Sequence, residues 1–436
     1  MSVMSDEDTA HAARPGFTGE FAGDPTRCGP GDRAELWQRL LFTLGALIVY
    51  RLGSYLPIPG VDLLAVSEFL RTSSSGFLGL LDLFTGGGAV GHLSIFALGI
   101  LPYISAFIIL ELASRIVPRL GGMAAGGPTG RRRLNQYARF VTVALAVLQA
   151  VGVVFGLEGM FGVVPAPGFL FEATTVLTLV AGAIFVMWLA ERITVRGLGN
   201  GALVILVCGI VSRLPFALAK LIDSVKTGDL DVRWLLGTLL ITAAVVPLVV
   251  VVERATRRIT IYDPRGEMGV RATDGRYTHI ALKLNPAGVL APIAASVLAT
   301  PLLGVIASAG GRGTLLYRDF AVGRSGHLLL TALLIALFAV FYGLVVLDPQ
   351  QTARKLRDSG GFVPGYRPGE GTARYLRATQ TTLAVIGAAY LVTVCVLPEL
   401  FFRQFYMPLP FGGFPIFLLA WLMVRMLEQM HPFVKP

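Results

Sequence analysis

The side chains that most often carry out chemistry, histidine and cysteine, are few in this sequence and stand far apart. Among its 436 residues they are His11, His92, His279, His327, His431, Cys28, Cys208 and Cys395. Metal sites and nucleophilic triads need such groups at fixed spacings, and the sequence contains no HExxH, GxSxG, CxxC or Walker A pattern. These residues predict that the chain is not an enzyme and that it holds no metal, cofactor or disulfide framework.

Ionisable residues in the middle of apolar segments would point to ion-coupled transport. Arg51 lies about five residues from the end of such a segment, so its side chain can reach the interface. Glu111 and Glu253 lie at segment ends. A secondary transporter for a small solute therefore remains an alternative, but the sequence does not favour it.

The composition indicates which elements must position any functional residue. Hydrophobic residues make up 54% of the chain and charged residues only 15%, against about 25% charged in soluble domains. A soluble, fibrous or disordered protein is excluded by this balance. The chain is therefore predicted to be a polytopic membrane protein.

Apolar segments long enough to span a bilayer recur along the whole chain. The predicted spans are 38–56, 93–113, 138–157, 173–190, 200–219, 234–252, 286–308, 327–347, 379–398 and 412–429. We expect helices there, because a helix satisfies every backbone polar group within the bilayer. The sequence thus predicts an all-α membrane protein.

The basic residues between these spans predict the orientation. Loops 115–139, 191–199, 253–283 and 348–377 together hold 21 Lys and Arg residues, whereas the alternate loops hold 9. Since basic loops stay in the cytoplasm, both termini are predicted to be cytoplasmic, with residues 1–34 as a flexible tail. The net charge of +10 also suits anionic partners such as lipid headgroups or ribosomal RNA.

Two of the basic loops have folds of their own. Segment 254–280 combines β-branched residues with the turn signals at 263–266 and 274–275, which predicts a β-hairpin. Segment 348–372 begins with a helical pattern and ends in Pro and Gly turns. The ten spans divide into five before and five after residue 220, which permits an internal repeat but does not establish one.

Segment 57–92 contains an apolar stretch, residues 77–84, that is too short to span. It is followed by Thr85 and three glycines, which can act as a hinge. The stretch could fold back into a cavity, lie at the interface or be a simple surface loop.

Several blocks resemble the SecY family of protein-conducting channels, with order and spacing kept from about residue 36 to 430. They are LLFTLGALIVYRLGSYLPIPGVD (40–62), LDLFTGGG (81–88), LSIFALGILPYISAFII (93–109), TGRRRLNQYARF (129–140), MWLAERITVRGLGNG (187–201), VERATRRI (252–259) and FVPGYRPGEGTARYL (362–376). The resemblance implies ten transmembrane helices in two inverted five-helix halves, 35–220 and 221–436, around a central pore. It also implies a plug at about 77–91, which includes Phe77, Leu80, Leu81, Phe84, Gly86 and Gly87.

The resemblance further implies a ring of aliphatic side chains at the waist of the pore: Ile100, Ile104, Ala202, Leu206, Ile293 and Leu418. Ile100 and Ile104 are four residues apart and would share a helix face. An apolar ring at a constriction excludes water and ions. Ordinary packing or lipid contact is the alternative role for these residues, and Ala202 is smaller than is usual in the family.

Polar and basic positions of the family also occur here. Ser105, Gln149 and Asn285 would lie at a lateral gate, although routine helix–helix hydrogen bonds are an equal alternative. Arg257, Arg258 and Arg367 would dock the ribosome and the SecA ATPase. Loops 120–130 and 259–272 depart from the family pattern, which puts the strength of docking in question.

The function implied by the resemblance is that of the central subunit of the Sec preprotein translocase in the bacterial plasma (inner) membrane. It would conduct unfolded preproteins across the membrane and release apolar segments into membrane lipid. Its partners would be SecE, SecG, SecA, the ribosome and signal peptides. A membrane scaffold without conduction is a further alternative.

Overall fold

The computed structural model describes residues 33–62, 93–125, 127–158, 164–166, 168–228, 232–262, 277–308, 325–345, 348–404 and 413–434. Over these residues the chain is mainly helical. The helices are α1 Arg33–Gly53, α2 Leu101–Ile116, α3 Pro118–Ala125, α4 Gly127–Glu158, α5 Phe169–Arg196, α6 Gly201–Lys226, α7 Val232–Arg254, α8 Leu290–Ser308, α9 Ser325–Val345, α10 Pro349–Asp358, α11 Glu370–Gln404 and α12 Gly413–Val434. One antiparallel hairpin, β1 Thr256–Tyr262 and β2 Tyr277–Lys283, follows α7.

Each apolar segment identified in the sequence overlaps one of these helices within the described residues. By length and composition, four of the described helices, α4, α5, α9 and α11, are long and apolar enough to cross a membrane. Shorter apolar helices occur at 101–114, 201–212 and 290–299. The all-α membrane fold predicted from the sequence is confirmed.

Local signals fix where several helices begin. The side chain of Asn200 accepts hydrogen bonds from the backbone N–H groups of Ala202 and Leu203, at 3.0 and 3.3 Å, and α6 begins at the next residue. Asp348 caps α10 in the same way, and Pro349 occupies its first turn. Such caps satisfy backbone donors that have no partner within the helix.

Large apolar side chains cover much of the outer surface of the helices. Examples with more than 60% of their surface exposed are Phe140, Leu148, Phe155, Leu177, Leu240, Leu329 and Leu333. In water this surface would be costly, whereas lipid tails accept it without penalty. The exposed faces therefore fit a protein surrounded by lipid.

The helices form two groups that meet along two lines of contact. In the first group α2, α4 and α5 pack together and α1 and α6 pack on α5, while in the second α8 and α11 both pack on α9, and α7 and α11 pack on α12. Between the groups, α2 contacts α8 on one line, and α12 contacts α1 and α6 on the other. We call the contact between α2 and α8 the seam.

The second predicted span, 93–113, is helical only from Leu101 onward, so the prediction was wrong for its first eight residues. Residues 93–100 turn tightly, with left-handed backbone at Leu93 (φ 40°) and Gly99 (φ 53°). This segment pairs with the end of the preceding region through Ile58 N–H to Leu93 O, 2.8 Å, and Ile95 N–H to Leu56 O, 2.9 Å. These bonds compete with helix formation, because they satisfy backbone groups that a helix would otherwise use.

Segment 115–139, predicted as a loop, is also largely helical, since α3 and the first turns of α4 occupy it. The predicted β-hairpin in 254–280 is confirmed, and so is the helix followed by turns in 348–372. The basic residues of 115–139 are therefore carried on helices rather than on an irregular loop.

The hairpin packs on the segment around α10 to form a small unit that we call the hairpin cluster, comprising β1, β2, α10 and residues 359–376. Its apolar core consists of Ile259, Ile261, Leu356, Val363 and Leu376. Tyr262 and Phe362 extend the sheet with two backbone hydrogen bonds, 2.9 and 3.0 Å, and their rings are in contact. Two loops that are about a hundred residues apart in sequence thus form one surface.

Candidate pore and gate

The six residues predicted for the pore ring all belong to the main buried apolar core of the described residues, and we refer to these six residues together as the aliphatic cluster. Each has at most 2% of its surface exposed, and they come from α2 or the residue directly before it and from α6, α8 and α12: Ile100, Ile104, Ala202, Leu206, Ile293 and Leu418. Helices from both groups thus contribute to the same cluster. Aliphatic side chains that surround a constriction exclude water and ions. That it encircles a pore stays a prediction.

Close backbone packing sets the position of Ile100, the residue that precedes α2. A side-chain atom at Gly182 of α5 would overlap the carbonyl oxygen of Ile95 and would lie 2.9 Å from its carbonyl carbon. Only glycine allows this approach, so α5 lies directly against segment 93–100. The backbone N–H of Ile104 donates to Ile100 O at 3.1 Å, which starts the helix that carries both ring residues.

An aromatic stack also supports segment 93–100. The Phe96 ring lies parallel to those of Tyr50 and Phe185, with centroid separations of 5.9 and 5.6 Å. Trp188 contacts Phe185 at 5.7 Å, and Arg192 lies 5.5 Å from the Trp188 ring. Such contacts stabilise beyond their buried area, and they fix segment 93–100 between α1 and α5.

The three predicted gate residues are not joined to one another by hydrogen bonds. The Oγ of Ser105 and the Oε1 of Gln149 are buried without a partner. Asn285 lies just before α8 and donates from Nδ2 to Oε1 of Glu253 at 2.7 Å. Its Oδ1 accepts from the N–H of Gly288 at 3.1 Å. Asn285 thus bonds within its own group of helices, and a gating role for the three residues stays a prediction.

The predicted docking arginines lie on the hairpin cluster. Arg257 and Arg258 are exposed on β1, and Arg367 is exposed in the turn before α11, where its carbonyl accepts from the N–H and hydroxyl of Thr372. The fold therefore presents all three side chains on one unit. The plug residues Phe77, Leu80, Leu81, Phe84, Gly86 and Gly87 lie outside the described residues.

Sequence reasoning missed two contributors to this arrangement. Glu253 was predicted only to mark the end of a span, yet it is 5% exposed and bonds Asn285. The sequence does contain an indication of this bond, because a carboxylate directly before a hairpin and an amide directly after it face each other across the base of the hairpin. Gly182 gave no signal, since a glycine in an apolar helix looks like any small packing residue.

The chain is similar to known proteins over most of its length. The SecY family model matches residues 94–427. The protein translocase subunit SecY of Escherichia coli strain K12 is 40% identical over 409 residues, which are 92% of each chain. The SecY subunit of Pseudomonas aeruginosa strain PAO1 is 38% identical over 406 residues, covering 92% of this chain and 91% of that one.

Solved structures have the same fold. A protein-conducting channel superposes with a TM-score of 0.64 at 18% identity, covering 91% of this chain and 92% of the other. The Sec61 channel of a canine ribosome–channel complex from the endoplasmic reticulum gives a TM-score of 0.62 at 16% identity, with coverages of 91% and 92%. These likenesses show that the two groups of helices adopt the fold of protein-conducting channels.

Proposed function

The chain belongs to the SecY family, and from this membership we propose that it is the central channel subunit of a protein translocase. It conducts unfolded polypeptides across the membrane through the aliphatic cluster and releases apolar segments sideways into lipid between α2 and α8. The chain supplies the passage and hydrolyses nothing itself.

One observation carries the proposal: six aliphatic side chains from both groups of helices, each at most 2% exposed, belong to one buried apolar core. In the resting state such a cluster blocks ions, because a narrow apolar constriction does not hold water. Aliphatic side chains change rotamer readily, so the same cluster can widen around an extended chain. A passage for polypeptide needs both properties, whereas a solute carrier needs polar groups that recognise its solute.

The seam between α2 and α8 supports lateral release. It joins the two groups of helices along one line, and the hydroxyl of Ser105, on α2, is buried without a partner. A membrane-buried hydrogen bond is worth only about 0.6–2 kcal/mol, so a seam held by such bonds can still open. Segment 77–91 would plug the outer side, and residues 35–220 and 221–436 would form the two halves.

We further propose the location and partners of the chain. It lies in the bacterial plasma membrane with both termini and the hairpin cluster on the cytoplasmic side. It assembles with SecE and SecG, receives signal peptides, and docks SecA or the ribosome through Arg257, Arg258 and Arg367. Exposed guanidinium groups suit both partners, because they pair with carboxylates and with phosphates in a bidentate manner.

Reconstitution tests the channel function. The chain is purified with SecE and SecG and placed in vesicles, and we expect it to move a signal-bearing precursor into the lumen when SecA and ATP are added. An intact complex that leaves the precursor accessible to protease would contradict the proposal. Saturable uptake of a small solute without SecA would support the transporter alternative instead.

Charge reversal tests the docking surface. Arg258→Glu is expected to weaken SecA binding several-fold at low salt, because it replaces attraction by repulsion on β1. Arg354→Glu on α10 is the matched control, since that residue is also exposed on the hairpin cluster. Equal effects of the two substitutions on SecA affinity would mean that net charge alone is involved, and the docking assignment would then fail.

A further inference from the structure

The base of the hairpin is closed by a buried side-chain hydrogen bond. Glu253 precedes β1 by three residues, and Asn285 follows β2 by two. Nδ2 of Asn285 donates to Oε1 of Glu253 at 2.7 Å, and the two residues are only 5% and 2% exposed. A hydrogen bond this short and this well shielded from solvent is expensive to break without a replacement.

This bond continues the ladder of the hairpin toward the membrane. The register pairs Thr256 with Lys283, and the next rung is the backbone bond from Leu284 N–H to Ala255 O at 3.0 Å. The Glu253–Asn285 bond follows immediately. The seven paired residues of each strand extend roughly 24 Å beyond the base of the hairpin.

Asn285 also holds the start of α8. Its Oδ1 accepts from the N–H of Gly288, which has a left-handed φ of 57°. On the other side, a side-chain atom at Gly387 of α11 would lie 3.1 Å from Leu284 O and 3.4 Å from Cα of Asn285. The residues that lead into α8 are therefore fixed by Glu253 from α7 and by the backbone of α11.

Two cations and a pore helix complete the surroundings of Glu253. Arg425 on α12 and Lys283 on β2 both interact electrostatically with its carboxyl group. Arg425 lies seven residues after the ring residue Leu418, two helical turns further along the same helix face. Glu253 is thus bonded to the segment that leads into α8 and is influenced by charges on the hairpin and on α12.

We propose that Glu253 is a positioning residue that couples the hairpin cluster to the seam between α2 and α8. Its bond to Asn285 holds the start of α8 within the second group of helices and so keeps the seam closed. A partner that tilts the hairpin strains this bond and frees α8 to move away from α2. The inference rests on the proposed channel function and adds a named link between docking and opening.

The test compares transport of two precursors by the reconstituted complex, one with an intact signal and one with a charged residue in the apolar part of the signal. Glu253→Ala removes the acceptor, so the seam opens more easily and the defective precursor should gain roughly 3- to 30-fold relative to the intact one. Glu253→Gln keeps an oxygen at Oε1 that can accept from Asn285 and should leave the ratio near that of the parent chain.

Gln380→Leu is the matched control for loss of a buried polar contact. Nε2 of Gln380 donates to Gly343 O at 2.7 Å and joins α11 to α9. This variant should lower thermal stability without changing the ratio of the two precursors. If the Glu253→Ala complex does not assemble, Asn285→Leu removes the same bond from the other side and must raise the ratio in its place.

The outcomes are distinguishable. A parent complex that transports neither precursor contradicts the proposed function itself. A functional parent whose Glu253→Ala variant has the same ratio as Gln380→Leu overturns the coupling role, because Glu253 would then only stabilise the fold. A raised ratio in Glu253→Gln also overturns it, since the bond to Asn285 would be retained while the gate opened.

Discussion

Replacing Gly182 with alanine should disturb the aliphatic cluster from a position outside it. Gly182 lies on α5 and packs against the backbone of Ile95. An added Cβ would overlap the Ile95 carbonyl oxygen and would lie 2.9 Å from its carbonyl carbon and 3.3 Å from Cδ1 of Phe96. Because the atoms in the way belong to the backbone, no change of side-chain rotamer can relieve the overlap.

The size of the effect follows from these distances. Carbon atoms in contact prefer about 3.5–4.0 Å, so α5 and segment 93–100 must separate by at least about 0.6 Å. Overpacking of this kind costs about 1–3 kcal/mol. The segment leads directly into Ile100, and a shift there should loosen the cluster. We therefore expect Gly182→Ala to lower the melting temperature of the purified complex and to raise its ion leak in planar bilayers.

Gly152→Ala is the matched control, because a Cβ at Gly152 on the neighbouring α4 would contact nothing within 4 Å. The gain in helix propensity, about 1 kcal/mol, is common to both variants and cancels in the comparison. If the two variants have the same melting temperature and the same ion leak, the close packing of α5 on segment 93–100 does not position the aliphatic cluster. That result would refute the role given to Gly182.

Three further predictions follow from the same contacts. Ile104→Asn places an amide in the aliphatic cluster and should increase ion conductance at least several-fold. Ile109→Asn, on the exposed side of the same helix, should leave the conductance unchanged, and single-channel recording measures both. Arg139→Met breaks a bidentate pair with Glu191, 2.8 Å at each contact, and since exposed pairs are worth about 0–1 kcal/mol, its melting temperature should fall only slightly and transport should persist. Leu376→Asp buries a carboxylate in the core of the hairpin cluster, so SecA binding should be lost while proteolysis still shows an intact membrane region; retained binding would contradict the folded cluster as the docking unit.

The sequence predicted the fold class and the family correctly, because both depend on signals that recur along the chain. Each apolar segment was visible by itself, and helices are required wherever backbone crosses lipid. The hairpin was also predictable, since the turn signals between two β-branched runs specify it locally. Segment 93–100 shows the limit of this reasoning. It is as apolar as a helix, yet its backbone bonds to residues 56–58, and no local pattern reveals a partner that far away.

The aliphatic cluster and the hairpin base also depend partly on the sequence and partly on the tertiary structure. The residue types at Ile100, Ile104, Leu206 and Leu418 and their spacing along each helix are properties of the sequence, as are the acid before the hairpin and the amide after it. The burial of these residues in one core, and the 2.7 Å bond between Glu253 and Asn285, depend on how the helices pack. Packing is decided by contacts between residues distant in the chain, where a missing side chain, as at Gly182, matters as much as any side chain that is present.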